Sequence, residues 1–475
     1  MNDTAEQPYV RTTYAVWELT LKCNLKCIHC GSRAGDARPV ELTTAEAIDL
    51  VHQLAELGVR EVTLLGGESF LRPDWLDIAS EISRSGMLLT MTTGGYGLGP
   101  KMAKKMAKAG FKMVSISIDG LEQTHDYLRG RQRSWEWCFK AVRALQDAGI
   151  RVSANTQLNR LSAPELPLLY QHLHRAGVIT WQLQMTVPMG NAADHSELLL
   201  QPYELLDVFP MIHHLVQISQ EQRPRVVPSN NLGYYGPYER RFRSHPHTDN
   251  PELMFWNGCR GGVLTLGIES DGDIKADPSL PTDDYVGGNI RDKSLRQIVY
   301  ESEQLAINDD RGIEHMWGFC RSCEFAEICR GGDTWTAHVF FDRRGNNPYC
   351  HHRSLLHAAR GQREKLDLKV RAEGVPFDNG IFDLAVEADD APLADDHNGF
   401  SAAKIQWPED WLKADPELPA RLIAERDRSI EVWRRTRLPR AAPSIEASGP
   451  TTVARPHMRT NRTAESAAPV AAERP

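Results

Sequence analysis

Five glycines punctuate the first part of the chain, Gly58, Gly86, Gly110, Gly149 and Gly177, each directly after a small or apolar residue that ends a helix-period segment. A helix that stops there needs a left-handed residue before the chain turns back, and glycine adopts that conformation at least cost. A β-rich run follows each glycine, at 61–65, 87–93, 111–118, 151–156 and 180–185. These runs read as near-continuous apolar strands separated by helices, the pattern of a parallel sheet covered by helices. The first helix carries its own start signal, the capping box Thr43-Thr-Ala-Glu46, and then an apolar face of Ile48, Leu50, Val51, Leu54 and Leu57. With the strand that begins at residue 14 there are six βα units. Six are too few for a closed eight-stranded barrel, so the expected fold is α/β, an open, partial (β/α)6 TIM-like barrel.

Between the first strand and the first helix stand Cys23, Cys27 and Cys30, spaced x3 and x2. Three thiolates on one loop wrap three corners of a four-iron cluster and leave the fourth iron without a protein ligand. Electron-carrier ferredoxins close every iron with cysteine, and structural zinc sites pair two Cys-x2-Cys hooks. An open coordination position points to chemistry instead of scaffolding.

In parallel α/β folds the reactive groups gather at the C-terminal ends of the strands. There the sequence places Gly66-Gly67-Glu68 after the second strand, Thr93 after the third, Ser117 and Asp119 after the fourth, and Asn155 and Gln184 on the fifth and sixth. Arg129 follows in His125-Asp-Tyr-Leu-Arg129, a residue able to fork a carboxylate.

The segment from Trp17 to Cys30 closely resembles the signature of the radical S-adenosylmethionine (radical SAM) superfamily. The resemblance implies a [4Fe-4S] cluster on Cys23, Cys27 and Cys30 whose open iron is chelated by the amino and carboxylate groups of SAM. One electron from the reduced cluster then releases a 5′-deoxyadenosyl radical, which takes a hydrogen atom from the substrate. Gly66-Gly67-Glu68 resembles the family motif that contacts the SAM amino group, and Thr93, Ser117 and Asp119 match positions that line its ribose and methionine ends. Arg129 is expected to pair with the SAM carboxylate, and Asn155 and Gln184 to face the same mouth.

Past residue 187 a bridge leads to a hairpin signalled by Ser270-Asp-Gly272, a helix from about Ser294, and a second array, Cys320-x2-Cys323-x5-Cys329 with Cys350. By spacing alone four such thiolates suit zinc or an iron–sulfur cluster. The run from Cys259 to Cys350 resembles a SPASM domain, which implies one auxiliary [4Fe-4S] cluster on Cys320, Cys323, Cys329 and Cys350. The family's other auxiliary cluster needs cysteines where this chain has Asp277 and Asp333, and only Cys259 of that set remains. Cys259, Asp277 and Asp333 are thus candidates, by position, for a catalytic role. Cys138 reads as a buried small hydrophobe.

The expected domains are a barrel over 14–235, a SPASM domain over 236–365, and an acidic extension with a largely disordered tail over 366–475, in which 418–437 forms a helix and nothing carries chemistry. A formal net charge of −8 gives no footprint for nucleic acid or anionic membrane. No apolar run reaches the ~18 residues of a spanning helix, the start lacks a secretion signal, and nine cysteines do not suit a disulfide framework. The expected location is cytoplasmic.

These features lead to the expectation of a radical SAM/SPASM enzyme resembling the maturases of ribosomally made peptides, acting by crosslinking, epimerisation or backbone excision. The expected partners are a peptide or protein substrate, an electron donor of flavodoxin or ferredoxin type, and, because the chain begins directly at the barrel, a leader held by the barrel, the SPASM region or a separate protein. Alternatives are sulfatase-maturase-like protein modification, a small-molecule radical SAM reaction, and a non-catalytic iron–sulfur electron carrier.

Overall fold

The computed structural model describes residues 12–243, 254–309, 312–391 and 399–437. Six parallel strands form in the expected order: β1 (Tyr14–Glu18), β2 (Glu61–Leu65), β3 (Leu88–Thr93), β4 (Met113–Ser117), β5 (Arg151–Leu158) and β6 (Thr180–Met185). All five glycines adopt positive φ, from 71° at Gly177 to 103° at Gly110. The helix Thr44–Leu57 starts on the Thr43/Glu46 capping box and buries Ala47, Leu50, Val51, Leu54 and Leu57 against the sheet. Each buried Leu or Val side chain contributes about 1.5–3 kcal/mol by leaving water.

The sheet runs on past both ends of the six-stranded core. β7 (Arg225–Pro228), within the stretch expected to be only a bridge, pairs parallel to β6. At the other edge β8 (Thr265–Ile268) pairs parallel to β1 and continues through β9 (Asp273–Lys275) and β10 (Val286–Asn289) as an antiparallel meander. The Asp-Gly hairpin and the Ser294 helix cap therefore stand where the sequence put them. The ten strands make one sheet, with the meander continuous with the barrel.

The strands are not apolar on both faces, which corrects the sequence reading. Val62, Leu64, Leu89, Met91, Val114, Ile116, Val152, Trp181 and Leu183 point outward and are buried under helices. Their neighbours Tyr14, Glu61, Thr63, Thr90, Thr92, Ser115, Ser153, Asn155, Thr180 and Gln182 line a central cavity of about 220 Å³. Helices cover only the outer face of an open barrel. Its inner face stays in contact with solvent, and the period-2 alternation assigns the polar side chains to it.

A second correction concerns the extension. Beyond residue 361 the chain forms a long antiparallel hairpin, β11 (Gln362–Val370) and β12 (Ile381–Ala388), then the helix Leu418–Arg437 at its expected bounds. Phe377, Phe382, Phe400, Ile405, Leu418 and Leu422 all join the main hydrophobic core. The tail expected to be disordered, 440–475, lies outside the described residues. No helix among the described residues is long and apolar enough to cross a membrane.

Candidate active site

The loop carrying Cys23, Cys27 and Cys30 is anchored by backbone groups from three directions. Lys26 N and Ile28 N donate to the carbonyls of Arg129 and Leu128, Asn24 Nδ2 donates to Tyr96 O, and Asn191 donates from its backbone N to Cys30 O and from Nδ2 to Cys27 O, both at 2.8 Å. The loop can pass this close to β2 because Gly66 and Gly67 follow that strand. A Cβ on Gly66 would lie 2.2 Å from Thr20 O, and one on Gly67 2.4 Å from both Leu21 O and Lys22 O. The two glycines thus make room for the cysteine loop itself.

All three cysteines are partly exposed. Burial pushes the Cys23 thiol up to about 11, with Glu68 and Cys30 adding to the shift, and that of Cys27 to about 12, with Cys30 and Cys23 adding to it, and Arg129 opposes both. Three soft donors on a rigid, partly open loop beside one cation fit an iron–sulfur cluster with a free corner.

Glu68 is buried, its carboxylate accepting from Thr93 Oγ1 at 2.7 Å and from Gly94 N at 3.1 Å. Burial raises its pKa to about 7, although both bonds and Arg129 act the other way. Thr93, expected to line a ligand directly, instead holds Glu68 in place. Ser117 and Asn155 are register partners on β4 and β5, and Gln184 pairs with Gln157 one step further on β6. All three are half-buried on the inner face at the barrel mouth.

Asp119 and Arg129 depart from expectation. Asp119 is wholly buried, and its carboxylate binds Arg129 Nη2 at 2.5 Å and His29 Nε2 at 2.9 Å and accepts from Gln157 N at 2.8 Å. Burial would raise its pKa, but Arg129 and the hydrogen-bonded His29 hold it well below the ordinary carboxylate range. Arg129 turns its other terminal nitrogen toward Cys27 Sγ at 3.7 Å. Its two terminal nitrogens thus face Cys27 and Asp119, while the buried Nε has no hydrogen-bond partner among the described residues. The pair buttresses the cysteine loop, because a buried guanidinium needs its own counter-ion more than a solvated ligand needs it.

Cys320, Cys323, Cys329 and Cys350 line one apolar cavity with Tyr235, Phe319, Phe325 and His352. Four sulfurs around a single dry cavity fit a cluster closed by cysteine at every iron. Cys259, Asp277 and Asp333 also share a neighbourhood: Cys259 Sγ lies 3.9 Å from Asp333 Oδ1, and burial followed by the Asp333 charge raises Asp277 to about 6. Asp333 Oδ2 accepts from Thr336 N and Oγ1 and caps the helix Thr334–Phe341, so this carboxylate has a structural task. Cys138 is buried, as expected.

Sequence reasoning missed Asn191, His29 and Arg33. The signal for Asn191 was Gly190 in a Pro-Met-Gly-Asn turn: Gly190 has φ 59°, and a Cβ there would lie 2.3 Å from Cys30 O.

The family model of the radical SAM superfamily matches residues 17–158. The AdoMet-dependent heme synthase of Methanosarcina barkeri is 27% identical over 344 residues, 71% of this chain and 95% of that protein. The mycofactocin maturase MftC of Mycobacterium tuberculosis is 26% identical over 321 residues, 66% of this chain and 76% of that protein. Among solved structures, Streptococcus suis SuiB bound to S-adenosylmethionine superposes with a TM-score of 0.55 at 17% identity, over 71% of this chain and 76% of SuiB. SuiB is also solved with its precursor peptide SuiA bound.

Proposed function

Because the chain belongs to the radical SAM superfamily through residues 17–158, we propose that this enzyme modifies a peptide, and that a ribosomally made precursor is its substrate. The observation that carries the reading is the polar inner face of the barrel, which runs from the cavity at the N-terminal and middle parts of the strands to Ser117, Asn155 and Gln184 at the mouth. The cavity is lined by hydroxyl and amide side chains together with Met91, Met113, Ala154 and Val227 and one carboxylate, Glu61, and by no Lys or Arg. Tyr14, Thr63, Thr90 and Glu61 form a hydrogen-bonded chain along its wall, at 2.9, 2.6 and 3.1 Å. Uncharged donors and acceptors of this kind match the alternating N–H and C=O groups of a peptide backbone.

Each group then has a task. The cluster held by Cys23, Cys27 and Cys30, when bound, supplies the electron that cleaves SAM and so provides the hydrogen-abstracting species. Glu68, once ionised, would accept a hydrogen bond from the SAM amino group. Ser117, Asn155 and Gln184 would supply hydrogen bonds to SAM and substrate at the mouth. Arg129 and Asp119 keep the loop from shifting, and Cys320, Cys323, Cys329 and Cys350 hold one auxiliary cluster. An electron donor of flavodoxin or ferredoxin type serves the first site.

A second reading rests on the heme synthase likeness, which favours a tetrapyrrole substrate. A polycarboxylate ring calls for cations in its pocket, and the cavity lining has none. The two readings separate by mass spectrometry. A short peptide encoded beside this gene, co-expressed with the enzyme in anaerobic cells grown in heavy water, is expected to change mass: two hydrogens lost in a crosslink, one deuterium gained in an epimer, a residue-sized loss in an excision. An unchanged peptide together with turnover of an iron coproporphyrin overturns the peptide reading.

A further inference from the structure

The extension that sequence analysis left without a role touches both cysteine loops. At the tip of the β11–β12 hairpin, Asp378 Oδ1 accepts from Arg33 Nε at 2.6 Å, and Arg33 stands three residues after Cys30. Both side chains are about nine-tenths buried. The carbonyl of Asp378 accepts from Gly190 N at 2.7 Å, and Asn379 bridges Met189, directly before the Asn191 that bonds Cys27 and Cys30. At the base of the same hairpin, Glu364 accepts from Arg353 Nε and Nη2, both at 2.6 Å, and Arg353 stands three residues after Cys350. Arg353 also donates to Asn346 Oδ1 and Asn347 O in the loop leading to that cysteine, and its charge opposes the burial that pushes the Cys320 thiol up.

The contact at the tip is held under backbone strain. Arg33 and Phe377 are both non-glycine residues at positive φ, 48° and 60°. Such a conformation costs on the order of 1 kcal/mol per residue and persists where surrounding contacts impose it. Those contacts are present: Phe377 is buried, with Lys275 Nζ 4.0 Å from its ring centre and the Arg38 guanidinium 5.8 Å away. Arg38 in turn pairs with Glu18 at the C-terminal end of β1. The tip therefore sits over the barrel mouth beside the first cysteine loop.

We propose that the β11–β12 hairpin is a strap that fixes the two cysteine loops relative to each other, with Glu364 and Asp378 as its positioning residues. From Glu364 to Val370 the strand advances about 20 Å at ~3.3 Å per residue, so one rigid element spans from one site toward the other. Its purpose rests on the reading that both loops carry clusters: electron exchange between two centres depends steeply on their separation, and a strand held at both ends by charge-assisted hydrogen bonds keeps that separation constant.

The test is hydrogen exchange on the full-length, anaerobically reconstituted protein, with iron counted in the same samples. Asp378→Asn is expected to speed exchange about tenfold or more in segments 23–35 and 189–195 and to leave 318–330 and 346–353 unchanged. Glu364→Gln is expected to do the reverse. Should Glu364→Gln fail to fold, Asp378→Asn alone decides, with Asp378→Glu expected to restore slow exchange. Unaltered exchange in the cysteine loops, or equal loosening of the whole barrel, overturns the strap. Iron decides the underlying reading separately: about four atoms per wild-type chain in place of about eight removes the two-cluster account, while the exchange pattern still decides whether the hairpin holds the loops.

Discussion

Asp119 and Arg129 form an ion pair at 2.5 Å directly beneath the loop of Cys27, the carboxylate without any exposure to solvent. Removing one partner of a buried pair strands the other charge, at a cost of about 3–5 kcal/mol. Arg129→Ala is therefore expected to destabilise the fold by that order and to slow cluster uptake, because the loop loses its floor. Denaturant unfolding checks the first effect as a fall in midpoint without a change in slope. Asp119→Asn, which keeps the acceptor toward Gln157 N and removes the charge, is expected to cost less in this measurement than Asp119→Ala.

Glu68 sets a pH dependence. Burial raises its pKa to about 7, so below that pH it is a neutral acid and a weaker hydrogen-bond acceptor for the SAM amino group. SAM affinity is expected to rise with pH, by up to about tenfold per unit, and to level off above about 7. The folded state favours the protonated form, so the same group takes stability away as pH climbs from the ordinary glutamate range through about 7. Glu68→Gln is expected to flatten both profiles. Calorimetric titration of SAM against pH reads the first, and thermal unfolding the second.

The cysteine sets are separable. Gly67→Ala drives a Cβ into Leu21 O and Lys22 O, which forces the first loop off β2. This variant is expected to keep about four iron atoms per chain and to lose SAM cleavage. The double variant Cys329→Ser, Cys350→Ser is expected to keep the other four and to cleave SAM while failing to complete substrate turnover. Iron assay and 5′-deoxyadenosine quantitation on the two variants check the division.

Local signals carried much of this structure and failed where pairing is distant. The capping box at Thr43, the helix at Leu418 and the Asp-Gly hairpin each have their cause within a few residues. The gathering of Cys320, Cys323, Cys329 and Cys350 around one cavity was legible because close spacing is a local property of the chain. β7 was not, since four residues ending in Pro228 read as a bridge more readily than a strand. Nor was the hairpin: the run Gln-Arg-Glu-Lys-Leu-Asp-Leu-Lys-Val alternates charge with few large apolar groups, and its buried Glu364 looks like any solvated acid. Arg33 and Asp378 are 345 positions apart, and nothing near either residue signals the other. Asp119 and Arg129 were recognised as site residues, but only their packing shows that they are paired with each other.

The proposal that the barrel cavity receives a peptide predicts where the abstracted hydrogen originates. The direct measurement is the mass of 5′-deoxyadenosine formed by the reduced, reconstituted enzyme in ordinary water with a fully deuterated version of the neighbouring precursor peptide. Transfer of one deuterium into 5′-deoxyadenosine is the predicted result. Unlabelled 5′-deoxyadenosine, formed at the same rate with or without the peptide, would contradict the account.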